Sequence, residues 1–134
     1  MTEYVGLAAE FRERFRIVND PVMIRVERRV IGGDYGASSY TTIAQADDLA
    51  DCLQLGPGRI LLDVGSGSGW PGNYLAASTG CTAVLTDPTL EGMAVAARRA
   101  EHDSLPTNAV TAVGEALPFR DQVFDASTSS DVFC

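Results

Sequence analysis

Two periodicities divide the chain. Up to residue 56 the apolar positions recur at helical spacing; beyond it they gather into short runs. Between Glu3 and Arg16, the side chains of Leu7, Ala8, Phe11 and Phe15 form one apolar stripe under an outer face of arginine and glutamate, which predicts an amphipathic helix. Asp20 and Pro21 predict a second start, an aspartate cap with proline in the first turn, and a helix running to about Val30. The cluster Gly32, Gly33, Asp34, Tyr35 and Gly36 breaks that helix. Thr42 and Gln45 stand at capping-box spacing. The helix they open, from Ile43 to Leu55, stops at Gly56, Pro57 and Gly58.

After Gly58 the pattern becomes that of buried strands alternating with helices. Residues 59–64 form an apolar run of strand length, then a glycine cluster, then a helix from about Pro71 to Ser78. Residues 81–86 predict a second strand. Thr89 to His102 predicts a second helix, with Leu90, Met93, Ala94 and Ala97 on its apolar stripe. Residues 108–113 predict a third strand and 124–129 a fourth. Such alternation implies right-handed crossovers and a parallel sheet, so the fold class is α/β. The organisation is a helical cap region over 1–56 and a sheet region over 57–134.

Composition places the chain among globular proteins: 46% of its residues are hydrophobic and 21% charged. The formal net charge is −8, which disfavours a nucleic-acid partner because the backbone phosphates would be repelled. Cys52, Cys81 and Cys134 are odd in number and widely spaced, so neither a zinc site nor a disulfide framework is indicated. Reduced thiols and the lack of an apolar leader or long apolar run lead to the expectation of a cytoplasmic protein, without a membrane partner or a metal.

The chemistry lies where the first strand meets the first helix of the second region. Gly65, Gly67 and Gly69 alternate with Ser66 and Ser68 at that turn. Glycine there admits positive φ and lets a ligand touch the backbone, and the helix start offers free N–H groups to an anionic group. Asp87 closes the second strand, twenty residues after Gly67, where a carboxylate can accept from ribose hydroxyls. The pattern proposes a nucleoside ligand lying across the strand ends. Gly67, Gly69 and Gly72 also satisfy the dinucleotide fingerprint, so an NAD(P)-binding dehydrogenase fragment is a rival. Asp63, inside the strand where dinucleotide folds usually place an apolar residue, counts against it. So do bulky Trp70 and Pro71, which crowd the place of a pyrophosphate.

Asp63, Gly65, Gly67 and Gly69 together resemble the first motif of class I S-adenosylmethionine-dependent methyltransferases. Asp87 is similar to that family's acidic residue after the second strand. Residues 115–119 with Phe124, Asp125 and Ala126 resemble the loop after its third strand and the start of the fourth, and Ser130, Asp131 and Val132 resemble the end of that fourth strand. The resemblance covers about residues 35–134 and is similar to the small-molecule branch. It implies a Rossmann-like sheet in the order 3-2-1-4, with S-adenosylmethionine as cofactor and a small molecule as methyl acceptor. By the resemblance Gly65, Ser66 and Gly67 line the methionine part, Asp63 orients the loop and Asp87 holds the ribose. Pro88 and Thr89 flank the adenine, Gly114 and Glu115 meet its edge, and the Ser130 carbonyl receives the ammonium. Asp131 is the candidate base if the acceptor needs one.

The chain departs from the family pattern in two ways. Val113 stands where an acid often faces the adenine amino group, and polar Ser127 and Thr128 replace large apolar residues of the fourth strand. A full fold of this kind runs for roughly another hundred residues. The sheet expected here is incomplete, with self-association through a bare fourth-strand edge and a non-catalytic binding or assembly module as the alternative function. Other residues have blander readings. His102 reads as a partner of a helix C-terminus, and Arg12, Arg14, Arg16, Arg25, Arg28 and Arg29 as a solvated face paired with Glu10, Glu13 and Glu27. Trp70 reads as helix–strand packing, and Tyr35 and Tyr40 as core or lid.

Overall fold

A computed structural model describes residues 2–132. Three helices come first: α1 (Thr2–Ile17), α2 (Pro21–Val30) and α3 (Ile43–Cys52). They precede β1 (Ile60–Val64), α4 (Gly72–Thr79), β2 (Thr82–Asp87), α5 (Leu90–His102), β3 (Thr107–Thr111) and β4 (Ala126–Thr128). Cys134 lies outside the described residues.

The predicted caps form. Asp20 Oδ1 accepts from Val22 N at 2.8 Å. Thr42 and Gln45 close a reciprocal capping box: Gln45 N donates to Thr42 Oγ1 at 3.2 Å and Thr42 N to Gln45 Oε1 at 2.9 Å. The helix they open ends at Cys52, short of the expected Leu55, because Gln54 takes a positive φ of 51° and the chain turns before the glycines. Exposed ion pairs Arg14–Glu10, Arg16–Glu13 and Arg12–Glu91 cover α1.

The sheet is parallel with order β3-β2-β1-β4. Leu61 pairs in register with Ala83 on one side and Ala126 on the other. Leu61, Leu75, Ala83 and Leu85 are fully buried between sheet and helices. The unbroken apolar runs within β1 and β2 follow from this: a central parallel strand is covered on both faces. In the short β4, Ser127 is exposed and Thr128 buried, so the polar pair divides between solvent and sheet.

The buried face of α5 differs from the expected stripe. Gly92, Met93, Ala96 and Ala100 face inward, while Leu90 is 69% exposed and Ala97 is also exposed. Small residues face inward because the helix lies close to the glycine loop: a Cβ added at Gly92 would stand 2.7 Å from the Gly67 carbonyl oxygen. Close packing against backbone selects glycine and alanine over the larger Leu90.

Candidate active site

The strand ends build the site from below. Gly65 N and Ser66 N both donate to the Thr86 carbonyl, at 2.8 and 2.9 Å, which ties the loop to the end of β2. Gly65, Gly67 and Gly69 all have positive φ (71°, 56° and 100°), a backbone that side-chain-bearing residues rarely adopt. Asp87 lies beneath the loop. Its Oδ2 accepts from Gly67 N at 3.0 Å, and its Oδ1 accepts from Thr89 N at 2.9 Å and from the Thr89 hydroxyl. A carboxylate has about four acceptor positions, so Asp87 retains one beyond these bonds.

Asp63 is fully buried within β1. Its Oδ2 accepts from Gly72 N at 3.0 Å, while Oδ1 has no hydrogen-bond partner. Burial pushes its carboxyl up to about 8; the Gly72 amide works against that shift and the nearby Asp87 carboxylate adds to it. The Asp63–Gly72 bond fixes the start of α4 against β1. A Cβ at Gly72 would stand 2.2 Å from Leu85 Cδ2 and 2.6 Å from Asp63 Oδ2, neither of which has room to retreat. Gly72→Ala is therefore expected to destabilise the fold by about 1–3 kcal/mol. Gly6→Ala, in helix α1 with nothing within 4 Å of the new methyl, is expected to be neutral or stabilising. Paired thermal melts check the contrast; equal melting temperatures would remove the crowding argument.

An open cleft of about 680 Å³ lies at the carboxyl ends of the strands. Gly65, Pro88, Gly114 and Glu115 line it, with Val113, Ser129 and Val132. Of the positions singled out from sequence, these first four thus meet at one cleft. Ser66 and Gly67 belong to the loop itself, with Asp87 and Thr89 beneath it. Asp63 lies deeper, supporting the helix. The side chains of Ser130 and Asp131 meet residues 40 and 41. Ser130 Oγ is 2.8 Å from Thr41 Oγ1, and Asp131 Oδ2 accepts from Tyr40 N at 3.0 Å and Thr41 Oγ1 at 3.5 Å.

The helical region closes over the loop. Phe15 and Ser38 rest on Gly67, where an added Cβ would stand 3.3 Å from Phe15 Cε1 and 2.7 Å from Ser38 Oγ. Ser68 Oγ donates to the Gly36 carbonyl, and Trp70 Nε1 donates to the Thr41 carbonyl at 2.9 Å. Trp70 also stacks on Tyr35 at a centroid distance of 4.6 Å, so it joins the helical region to the sheet region as well as packing helix on strand. Tyr40, by contrast, is 80% exposed. His102 is exposed at the end of α5, 2.8 Å from Asp103.

Glu27 also departs from its expected place on a solvated face. It is buried rather than solvated, and its two oxygens accept from Tyr35 N and, at 3.1 Å, from Gly36 N. The turn at Gly32–Gly36 curls back onto α2, and two unpaired amides there need an acceptor. The available signal was its spacing: Ile24, Glu27 and Ile31 fall on one face of the helix, and Ile31 is buried.

The model of the methyltransferase domain family matches residues 62–134, more than half of the chain. The chain belongs to this methyltransferase family. The methyltransferase chain is 35% identical over 115 residues to botryococcene C-methyltransferase of Botryococcus braunii, covering 79% of this chain and 28% of that protein. A solved SAM-dependent methyltransferase from Thiobacillus denitrificans, in complex with S-adenosyl-L-homocysteine, shares the fold with a TM-score of 0.60. Its identity is 22%, over 81% of this chain and 44% of that one. A solved geranyl diphosphate methyltransferase, in complex with GPP and sinefungin, matches at 26% identity with a TM-score of 0.60, over 64% of this chain and 33% of that one. This methyltransferase chain therefore spans less than half the length of each. Among the described residues no group of three or more His, Cys, Asp or Glu could hold a metal, and no helix is long and apolar enough to cross a membrane.

Proposed function

We propose that the chain is the cofactor-binding part of an S-adenosylmethionine-dependent methyltransferase acting on a small molecule. The observation that carries this reading is the glycine loop held over Asp87 at the mouth of the strand-end cleft, on a chain of the methyltransferase family. In open α/β sheets ligands bind at the carboxyl ends of the strands, where the order reverses; here that is between β1 and β4.

The residues present fit the cofactor. The cleft falls in the size range of small-molecule sites. The left-handed glycines let a ligand approach the loop backbone, and Asp87 keeps an acceptor position for a ribose hydroxyl. Pro88 and Gly114 offer flat, uncharged contact for a base, with Glu115 at the edge and Val113 in place of an acid. When bound, the cofactor supplies an electrophilic methyl group. The chain's own residues bind and orient it; positioning the methyl carbon about 3 Å from an acceptor supplies much of the rate. The Ser130 carbonyl is the acceptor proposed for the ammonium. Asp131 is the candidate base, and serving as one would require releasing Tyr40 N and Thr41.

Several companion readings have support of their own. The acceptor is apolar, since relatives matched in sequence are named for botryococcene and squalene, both hydrocarbons. Nucleic acid is disfavoured by the net charge of −8. The thiols of Cys52 and Cys81 are free, which suits a reducing, cytoplasmic compartment. The boundary between regions 1–56 and 57–134 falls in the turn before β1. Among the described residues β4 pairs on one side only, with β1, and its other side is the edge proposed for self-association. A non-catalytic binding module is the second reading. It is favoured by Val132, whose Cγ2 stands 2.4 Å from the place of a Cβ on Gly65, and by the engaged Asp131 carboxylate.

Calorimetry with S-adenosylhomocysteine tests the proposal. Binding is expected, and Asp87→Ala should weaken it roughly ten- to a hundredfold, for loss of about 1.5–3 kcal/mol of hydrogen bonding to a charged group. Asp103→Ala, on the exposed end of α5, should bind as wild type. Binding of NADH in place of S-adenosylhomocysteine would return the dehydrogenase reading. Binding without transfer of a tritiated methyl group to any acceptor pool would favour the module.

A further inference from the structure

The helical region holds a second cavity, a groove of about 340 Å³ between α1, α2 and residues 37–40. We propose that this groove is the acceptor site and that it takes an uncharged, chiefly hydrocarbon molecule; the proposal rests on the methyltransferase reading above. Ile17, Val18, Met23, Val26, Val30 and Ile31 form its walls. Ile17, Met23, Val26 and Val30 are 41%, 39%, 48% and 45% exposed, so an aliphatic surface stands in water. These aliphatic side chains converge on one concave surface, the kind of lining that small apolar ligands use.

The two charged side chains of the lining are already matched. Glu27 accepts from the Tyr35 and Gly36 amides through both oxygens, and Arg14 pairs with Glu10 at 3.0 Å. A cationic ligand would find Glu27 already engaged and an anionic one only the half-exposed Arg14, already paired, whereas a hydrocarbon loses no hydration. One polar group has a use for a ligand atom: the Ser39 hydroxyl in the same wall is buried and has no hydrogen-bond partner.

Position gives the groove its role. Residues 37–40 form one of its walls. From the same segment Ser38 packs on Gly67, and Tyr40 N donates to Asp131. The residues flanking Ser130 and Asp131, Ser129 and Val132, line the strand-end cleft. Residues 37–40, backed by Ser130 and Asp131, thus stand between the apolar groove and the proposed cofactor cleft. An acceptor seated in the groove would reach the methyl group by displacing residues 37–40 together with their contacts to Ser130 and Asp131.

Displacement of the uncharged fluorophore N-phenyl-1-naphthylamine by farnesol, a hydrocarbon chain with one hydroxyl, reads occupancy directly. Val26→Asp, which puts a carboxylate into the groove, should weaken both ligands at least tenfold. Val22→Asp, on the same helix but outside the lining and 55% exposed, should leave them unchanged. Both positions are solvent-accessible, and melts of each variant show that it is folded; Val30→Asp repeats the test if Val26→Asp is not. Wild-type affinity in Val26→Asp, equal weakening in both variants, or tighter binding of farnesyl diphosphate than of farnesol would overturn the proposal. So would a dimer that Val26→Asp dissociates in light scattering, with no displacement by farnesol. Calorimetry with S-adenosylhomocysteine on the same samples separates the two ideas. Cofactor binding without farnesol binding overturns the groove alone. Farnesol binding that is sensitive to Val26→Asp but comes without cofactor binding leaves the groove a hydrocarbon site and overturns both the cofactor reading and the acceptor role that rests on it.

Discussion

Asp63→Asn is expected to become progressively more stable than the wild-type chain as pH rises from about 4 to 8. The Asp63 carboxyl is pushed up to about 8 by burial, from an ordinary value of 3.8. In the unfolded chain it ionises near that ordinary value; in the folded chain it holds its proton to a much higher pH. The folded state therefore binds the extra proton throughout this window, and stability falls as pH rises. The loss begins near the unfolded value and levels off above the folded one. At about 1.4 kcal/mol for each pH unit, the difference between the two proteins grows to about 5 kcal/mol at pH 8. Asparagine keeps an oxygen for the Gly72 amide and carries no charge, so its stability should lack this component. Chemical melts of both proteins at several pH values give the difference directly, free of the exposed carboxylates common to both. A difference that stays constant from pH 4 to 9 would show that Asp63 is ionised in the fold. The buried oxygen without a hydrogen bond, Oδ1, would then need a partner of its own.

Glu27→Ala should have the second large effect, a loss of about 3 kcal/mol or more. Two backbone amides, of Tyr35 and Gly36, donate to this one buried carboxylate. Hydrogen bonds to a charged acceptor contribute about 1.5–3 kcal/mol each, and unpartnered buried amides are themselves unfavourable. The change should also reach the aromatic cluster, since Tyr35 stacks on Trp70 and meets Tyr74 edge-on at 5.3 Å. Trp70 fluorescence should shift red in the folded variant. Glu27→Gln should recover part of the loss, because its one oxygen can serve only one of the two amides well. Arg28→Ala breaks the neighbouring exposed pair with Asp34 and should change stability by less than about 1 kcal/mol. Equal melts for Glu27→Ala and Arg28→Ala would return Glu27 to the solvated face.

Much of this architecture is legible in the sequence because it is locally encoded. The Asp20 and Thr42 caps, the apolar run of β1 and the glycines after it each depend on residues within a few positions of one another. Each forms in the structure where expected. The sheet order follows from the same information plus the handedness of the crossovers and the family resemblance. The inward face of α5 was less legible. Hydrophobicity favours Leu90, but the space available beside Gly67 favours Gly92 and Ala96. A size constraint imposed by a distant loop leaves no mark in the helical period.

By itself the sequence determined the strand–helix alternation, the glycine turn with Asp63 and Asp87 on either side of it, and the family to which the chain belongs. These are properties of spacing, and spacing is preserved in any conformation of the chain. Only the tertiary structure decided what each carboxylate does. Asp87 binds Gly67 N and Thr89 from below the loop, Asp63 supports Gly72, Asp131 holds Tyr40, and Glu27 gathers two amides from the glycine turn. A carboxylate in sequence is only a charge. Whether it is solvated, buried with a raised pKa or bound by backbone amides depends on which donors and how much water the fold brings within about 3 Å of it.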